Sequence, residues 1–208
     1  MSATALIQLA AAAGPLLWSV ASAAPAPPAA SPAPAAALVR IVIQTDKGEI
    51  EAELDAARAP LTTANFLRYV DAGRYEGGFF HRALRPANQR GKAHPIEVIQ
   101  GGVAPRHKDA EFPAVKLERT RDTGLRHVDG ALSLAREGPD SATSHFFICI
   151  GAQPALDYGG LRNPDGQGFA AFGRVVSGMD VVRRIQAGEL QGDKLTPPVR
   201  ILRILRRL

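Results

Sequence analysis

Residues 39–54 read Val39-Arg40-Ile41-Val42-Ile43-Gln44-Thr45-Asp46-Lys47-Gly48-Glu49-Ile50-Glu51-Ala52-Glu53-Leu54. Val39 to Thr45 and Glu49 to Leu54 each carry the period of two that marks a strand with one buried face. Asp46-Lys47-Gly48 lies between them and supplies a turn, so the stretch reads as a β-hairpin. The period then changes. From Pro60 to Ala72 the apolar positions Leu61, Phe66, Leu67 and Val70 follow helical spacing, with Pro at the start and Gly73 just past the end, which predicts an amphipathic helix.

Working outward from the hairpin, short apolar segments recur at Phe79-Phe80, Ile96 to Ile99, Ala131 to Ala135, His145 to Ile150 and Phe169 to Val176, each bounded by Gly, Pro or Asp. Ser177 to Ala187 reads as a second helix stopped by Gly188, and Val199 to Leu205 as a last strand. Many short strands with only two helices predict a mainly β domain closed into an antiparallel barrel, because closure removes strand edges that would otherwise pair with other chains. No long-range repeat is visible.

The other direction is different in kind. Met1 to Val39 contains no charged side chain, so every charge behind the net +5 of this 208-residue chain lies from Arg40 onward. Ala5 to Val20 is an apolar run interrupted by Gly14-Pro15 and shorter than the roughly 18 apolar residues of a membrane span. With Ala21-Ser22-Ala23 behind it, residues 1–23 read as a secretory signal cut before Ala24, although no basic residue precedes the apolar run. Residues 24–37 have the Ala/Pro composition of an extended spacer. The domain is then expected over residues 38–208, in a periplasmic or secreted protein. The single Trp, Trp18, lies in the segment expected to be removed.

Several functional classes are disfavoured by the pattern. Cys149 is the only cysteine, so no intramolecular disulfide can form, and its apolar neighbours read it as a small buried hydrophobe. His81, His94, His107, His127 and His145 lack the spacing of a metal site. Arg200, Arg203, Arg206 and Arg207 crowd the last strand without the stacking aromatics of a nucleic-acid surface. No Gly-x-Ser-x-Gly turn suggests a serine hydrolase.

Six segments in order resemble the cyclophilin family of peptidyl-prolyl isomerases: Pro60-Leu61-Thr62-Thr63-Ala64-Asn65-Phe66, Phe80-His81-Arg82, Gln100-Gly101-Gly102, Gly130 to Ala135, Ser144-His145-Phe146-Phe147-Ile148, and Ala171-Phe172-Gly173-Arg174-Val175 onward to Ile185. The resemblance implies a closed eight-stranded antiparallel β-barrel capped by two α-helices, with a shallow outer groove that takes proline-containing polypeptides. It implies no cofactor, no metal, no nucleic acid, no membrane span and a monomeric chain. By the same resemblance Arg82 is the catalytic donor and Gln100 orients it, while Phe147 and Leu156 line the socket for the proline ring. Val98 stands where many members carry Met, and Phe169 closes the socket where members carry His or Tyr. Ala135 and Arg136 offer backbone contacts to substrate, leaving their side chains little constrained. His145 replaces a common Gln. Phe146 is expected to point into the barrel, opposite to Phe147.

The chemistry has its own requirement. Resonance holds the peptide bond planar behind a barrier of about 18–20 kcal/mol, and Xaa-Pro bonds isomerise over tens to hundreds of seconds. In the twisted state the proline nitrogen regains its lone pair, so a fixed donor aimed at it binds that state better than either planar form. An always-charged, forked guanidinium suits the task, and no acid–base pair is needed.

Departures from the family pattern also shape the expectations. An insertion at about Leu84 to Pro95 lengthens a loop beside the groove, where it gates substrate, recognises it, or does neither. Glu97 is expected where an aromatic helps wall the socket, and Ala155 occupies the place of the large aromatic that contacts cyclosporin. Weak cyclosporin binding follows, and nanomolar affinity in a titration would contradict it. The eroded socket also leaves open a binding module on the same fold that holds prolyl segments without turnover.

Overall fold

The hairpin forms as β1 (Leu38–Thr45) and β2 (Gly48–Asp55), paired antiparallel with Ile43 opposite Ile50 and Ile41 opposite Ala52. These four side chains and Leu54 are fully buried. At the turn the Thr45 hydroxyl donates to the Gly48 carbonyl at 2.7 Å and accepts from the Lys47 N–H at 3.1 Å. The computed structural model describes Met1, residues 38–107 and residues 111–207. Met1 aside, the expected signal and spacer lie outside the described residues.

Helix α1 (Pro60–Asp71) follows with Pro in its first turn. Its core face is Phe66, Leu67, Tyr69 and Val70, joined by Thr62, Thr63 and Asn65. Leu61, expected on that face, is 48% exposed. It belongs to the helix start, where the Glu118 carboxylate accepts the Leu61 and Thr62 N–H groups at 3.1 and 2.7 Å and satisfies two otherwise unpaired donors.

The remaining elements are β3 (Phe79–Leu84), β4 (Val98–Gly102), α2 (Thr120–Thr123), β5 (Ala131–Leu134), β6 (Phe146–Cys149), β7 (Ala170–Ser177), α3 (Met179–Gln186), β8 (Leu190–Gln191) and β9 (Lys194–Arg206). All pairings are antiparallel, in the order β1-β2-β7-β5-β6-β4-β3-β9-β8, and β1 also pairs with β9. Eight strands thus close a barrel, and two-residue β8 is a short arm on β9. The spacing predicts two helices, and the structure has a third, α2. It is a single turn ended by Gly124 at φ 71°, too short to show a period. Strand β9 begins at Lys194, five residues before the expected Val199, and runs through Pro197-Pro198.

The barrel interior holds Phe80, Ile99, Leu132, Phe146, Phe172 and Ile201, onto which α1 and α3 pack Phe66, Val182 and Ile185. Phe66 contacts Phe146 edge-on with ring centroids 5.3 Å apart, a geometry worth about 1 kcal/mol beyond burial. A second apolar cluster, Leu84, Ile96, Val98, Ala131, Phe147, Cys149, Leu156 and Phe169, is separate from this core. Cys149 is fully buried there, and burial pushes its thiol well up.

Candidate functional site

Sheet register builds the site. Arg82 on β3 lies opposite Gln100 on β4, Gln100 opposite Phe147 on β6, and Phe147 opposite Ser133 on β5. Since side chains alternate between faces, these four project from the outer side while Ile99, Leu132, Phe146 and Ile148 fill the barrel. The next row, Leu84, Val98 and Cys149, continues the outer face.

The groove over this face has a volume of about 740 Å³. All nine residues singled out in the sequence line it: Arg82, Gln100, Val98, Phe147, Leu156, Phe169, Ala135, Arg136 and His145. Arg82 is held at two atoms. Its Nε donates to Asp193 Oδ2 at 2.7 Å and its Nη1 to Gln100 Oε1 at 3.3 Å. The guanidinium therefore has a set direction beside an apolar floor.

That floor is Phe147, whose ring meets Phe169 edge-on at 5.5 Å, with Leu156 fully buried beside them. On its other side, at 6.0 Å and 16° between planes, Phe147 stacks on His127. His127 Nδ1 lies 2.8 Å from Asp157 Oδ1, and Nε2 lies 3.0 Å from Ser133 Oγ. The order Ser-His-Asp has the shape of a hydrolase triad, yet Ser133 is fully buried, so the three brace the floor and offer no nucleophile. Burial alone would raise the Asp157 carboxyl; hydrogen bonds from the His127 ring and N–H, with the Arg126 charge, outweigh it and hold Asp157 below the usual carboxylate range.

The two glycines after Gln100 have steric reasons. A Cβ on Gly101 would stand 3.0 Å from the Phe80 ring, and one on Gly102 would stand 2.6 Å from the His145 ring. His145 in turn meets His81 edge-on at 5.3 Å. Burial, followed by the neighbouring His145, holds His81 below the ordinary histidine value.

A match to the family model for "Cyclophilin type peptidyl-prolyl cis-trans isomerase/CLD" spans residues 40–205. The chain belongs to the cyclophilin family. Among curated relatives, peptidyl-prolyl cis-trans isomerase A of Dickeya dadantii is 37% identical over 160 residues, covering 76% of this chain and 75% of the relative. Peptidyl-prolyl cis-trans isomerase B of Escherichia coli is 32% identical over 147 residues, covering 70% and 83%. A Cryptosporidium parvum cyclophilin-type isomerase shares the fold, with a TM-score of 0.65 at 21% identity over 83% of this chain and 99% of that one. A second structure of that protein was determined in the presence of the dipeptide Ala-Pro.

Within this cyclophilin, three expectations need correction. Glu97 is not among the groove-lining residues; Ile96 is. Ile96, Val98 and Gln100 share one face of the chain, while Glu97 accepts a hydrogen bond at 3.2 Å from Gln186 on α3. Arg136 does not have a loosely held side chain. That side chain is 1% exposed, donates from both terminal nitrogens to Asp165 at 2.7 and 2.9 Å and from Nε to the Gly168 carbonyl at 2.8 Å, and lies over the Phe169 ring. The loop after Asp157 folds back and fixes it. Leu84 is not insertion but the end of β3, buried in the groove wall.

Beyond the nine residues singled out in the sequence, four more bound or orient the groove: Ile96, Leu84 and Arg162 line it, and Asp193 holds Arg82. Period two counted back from Gln100 and forward from Arg82 would have found Ile96 and Leu84. Nothing local marks Asp193, which reaches Arg82 across 111 positions. The insertion itself is a folded loop around buried Gln89, whose amide bonds the Arg85 and Ile96 carbonyls at 3.1 and 2.6 Å and accepts the Ile96 N–H at 3.2 Å.

Proposed function

We propose that this cyclophilin isomerises Xaa-Pro bonds with Arg82 as the donor to the twisted amide, Gln100 as its orienting partner, and Phe147, Leu156, Val98 and Phe169 as the seat of the proline ring. The observation that carries this reading is the two-point hold on Arg82, by Asp193 and Gln100, in one sheet row with Phe147. A ring seated on the apolar floor brings its nitrogen near a guanidinium that cannot lose its charge. As the C–N bond twists, that nitrogen becomes pyramidal and accepts a hydrogen bond that the planar amide cannot, so the interaction lowers the barrier selectively. A reduction of about 7 kcal/mol corresponds to roughly five powers of ten in rate. No covalent intermediate is needed.

Ala135, Arg136 and His145 flank the seat, where the chain running into and out of the proline would lie. The substrates we propose are exported polypeptides, a reading supported by the uncharged leader with Ala21-Ser22-Ala23 and the Ala/Pro spacer. Isomerisation of a short Xaa-Pro peptide by the wild type and by Arg82→Ala tests the mechanism: the variant should lose at least a hundredfold in kcat/KM. An unchanged rate would remove Arg82 from the mechanism. A wild type no faster than buffer that still binds prolyl peptides would favour the non-catalytic module, the reading Ala155 supports.

A further inference from the structure

The groove contains a second arginine, and its surroundings differ from those of Arg82. Arg162 lines the same groove, half-buried, with its N–H on the Ala155 carbonyl at 3.0 Å. Its Nη1 donates to the His94 carbonyl at 3.0 Å, so the insertion supplies its support. Arg82 is neutralised by Asp193. Among the described residues no carboxylate forms an ion pair with Arg162, and its one side-chain hydrogen-bond acceptor is a neutral carbonyl. Burial and the nearby Arg82 charge both work against the protonated form of Arg162.

A half-buried cation held by a neutral acceptor is an incomplete site, because removing charge from water is costly unless an opposite charge compensates. Arg162 also has the geometry to complete it. A guanidinium presents parallel N–H groups that match a carboxylate, and the His94 carbonyl fixes the fork in advance. Its backbone is tied to Ala155, next in sequence to Leu156 of the proposed proline seat, and it lines the same groove.

We propose that Arg162 is a specificity residue that binds the side-chain carboxylate of an Asp or Glu adjoining the substrate proline, and that the insertion at 85–95 serves to hold it there. The proposal rests on the reading of this groove as the prolyl-peptide site. It gives the insertion a role in recognition, and it makes acidic residues next to proline, on one side of it, the preferred context.

The test uses tetrapeptides Ala-Xaa-Pro-Ala and Ala-Ala-Pro-Xaa with Glu, Gln or Lys at Xaa, measured at low salt by binding titration and by NMR exchange. For wild type, Glu should exceed Gln about tenfold in one of the two series, equivalent to about 1.4 kcal/mol, and Lys should be poorest. The Glu-to-Gln ratio should fall to about one in Arg162→Gln, stay partly above one in Arg162→Lys, and shrink with added salt. Equal treatment of Glu and Gln by wild type in both series overturns the proposal, as does a preference retained in Arg162→Gln. If every peptide binds but none is isomerised, the enzyme reading fails while the binding ratios still decide the role of Arg162.

Discussion

Arg82 Nε and Asp193 Oδ2 are 2.7 Å apart, joining the middle of β3 to the turn between β8 and β9. Both side chains are more than a third exposed, at 37% and 40%, so the pair contributes little to stability in water. Its effect should be directional. Asp193→Ala is expected to cost about tenfold in kcat/KM, about 1.4 kcal/mol of transition-state stabilisation, while the unfolding free energy from denaturation stays within a few tenths of a kcal/mol of wild type. A parallel loss of stability and activity would mean that Asp193 supports the fold and not the guanidinium.

Adjacent phenylalanines on β6 should separate fold from function. Phe146 is fully buried among Phe66, Tyr75 and Phe80, so Phe146→Ala should destabilise by about 3–5 kcal/mol. Phe147→Leu keeps most of the volume of the groove floor but loses the flat ring against His127 and Phe169. It should weaken prolyl-peptide binding severalfold at a stability cost under about 1.5 kcal/mol. Paired chemical denaturation and peptide titration check both. Equal stability losses would show that the two faces of the strand are not independent.

Acid should weaken the fold in two stages. His81 is held below its ordinary value, so below about pH 6.5 the unfolded chain binds the proton more readily. Its contribution is complete above that pH and lost as pH falls toward the folded value. Asp157 is lowered too, so its contribution is present above about pH 3.9 and is lost as pH falls through its folded value. Denaturation midpoints should decline first below pH 6.5 and again below about pH 4. His81→Asn should flatten the first decline and Asp157→Asn the second. A variant whose curve still parallels wild type in its window would exclude that group.

Processing before Ala24 would remove Trp18, the only tryptophan. Protein recovered from the periplasm or medium should therefore show tyrosine but no tryptophan emission, with an intact mass starting at Ala24. Tryptophan fluorescence in the exported form would refute that cleavage.

What the residues disclosed in advance followed the range of each interaction. Period two in residues 39–54 was enough for the hairpin, and alternation along Ser144 to Ile150 put Phe146 inside and Phe147 outside. The same alternation places Ile96 and Leu84 on the outer face, but the neighbouring Glu97 and the edge of the insertion mask it. Arg136 and Asp193 were beyond reach for another reason. Their partners, Asp165 and Arg82, stand 29 and 111 positions away, and neither pairing leaves a periodic trace. The single-turn α2 fell below the length at which spacing identifies a helix.

The pairing of β1 with β9 joins residues as far apart as Gln44 and Arg203, 159 positions along the chain. Synthesis therefore matters to this barrel: its seam cannot be zipped until the last strand has been made, whatever the earlier strands do. Such distant closure slows folding. A version truncated before Leu195 should fail to close at all, leaving β1 and β3 each with a bare edge on which neighbouring molecules can aggregate.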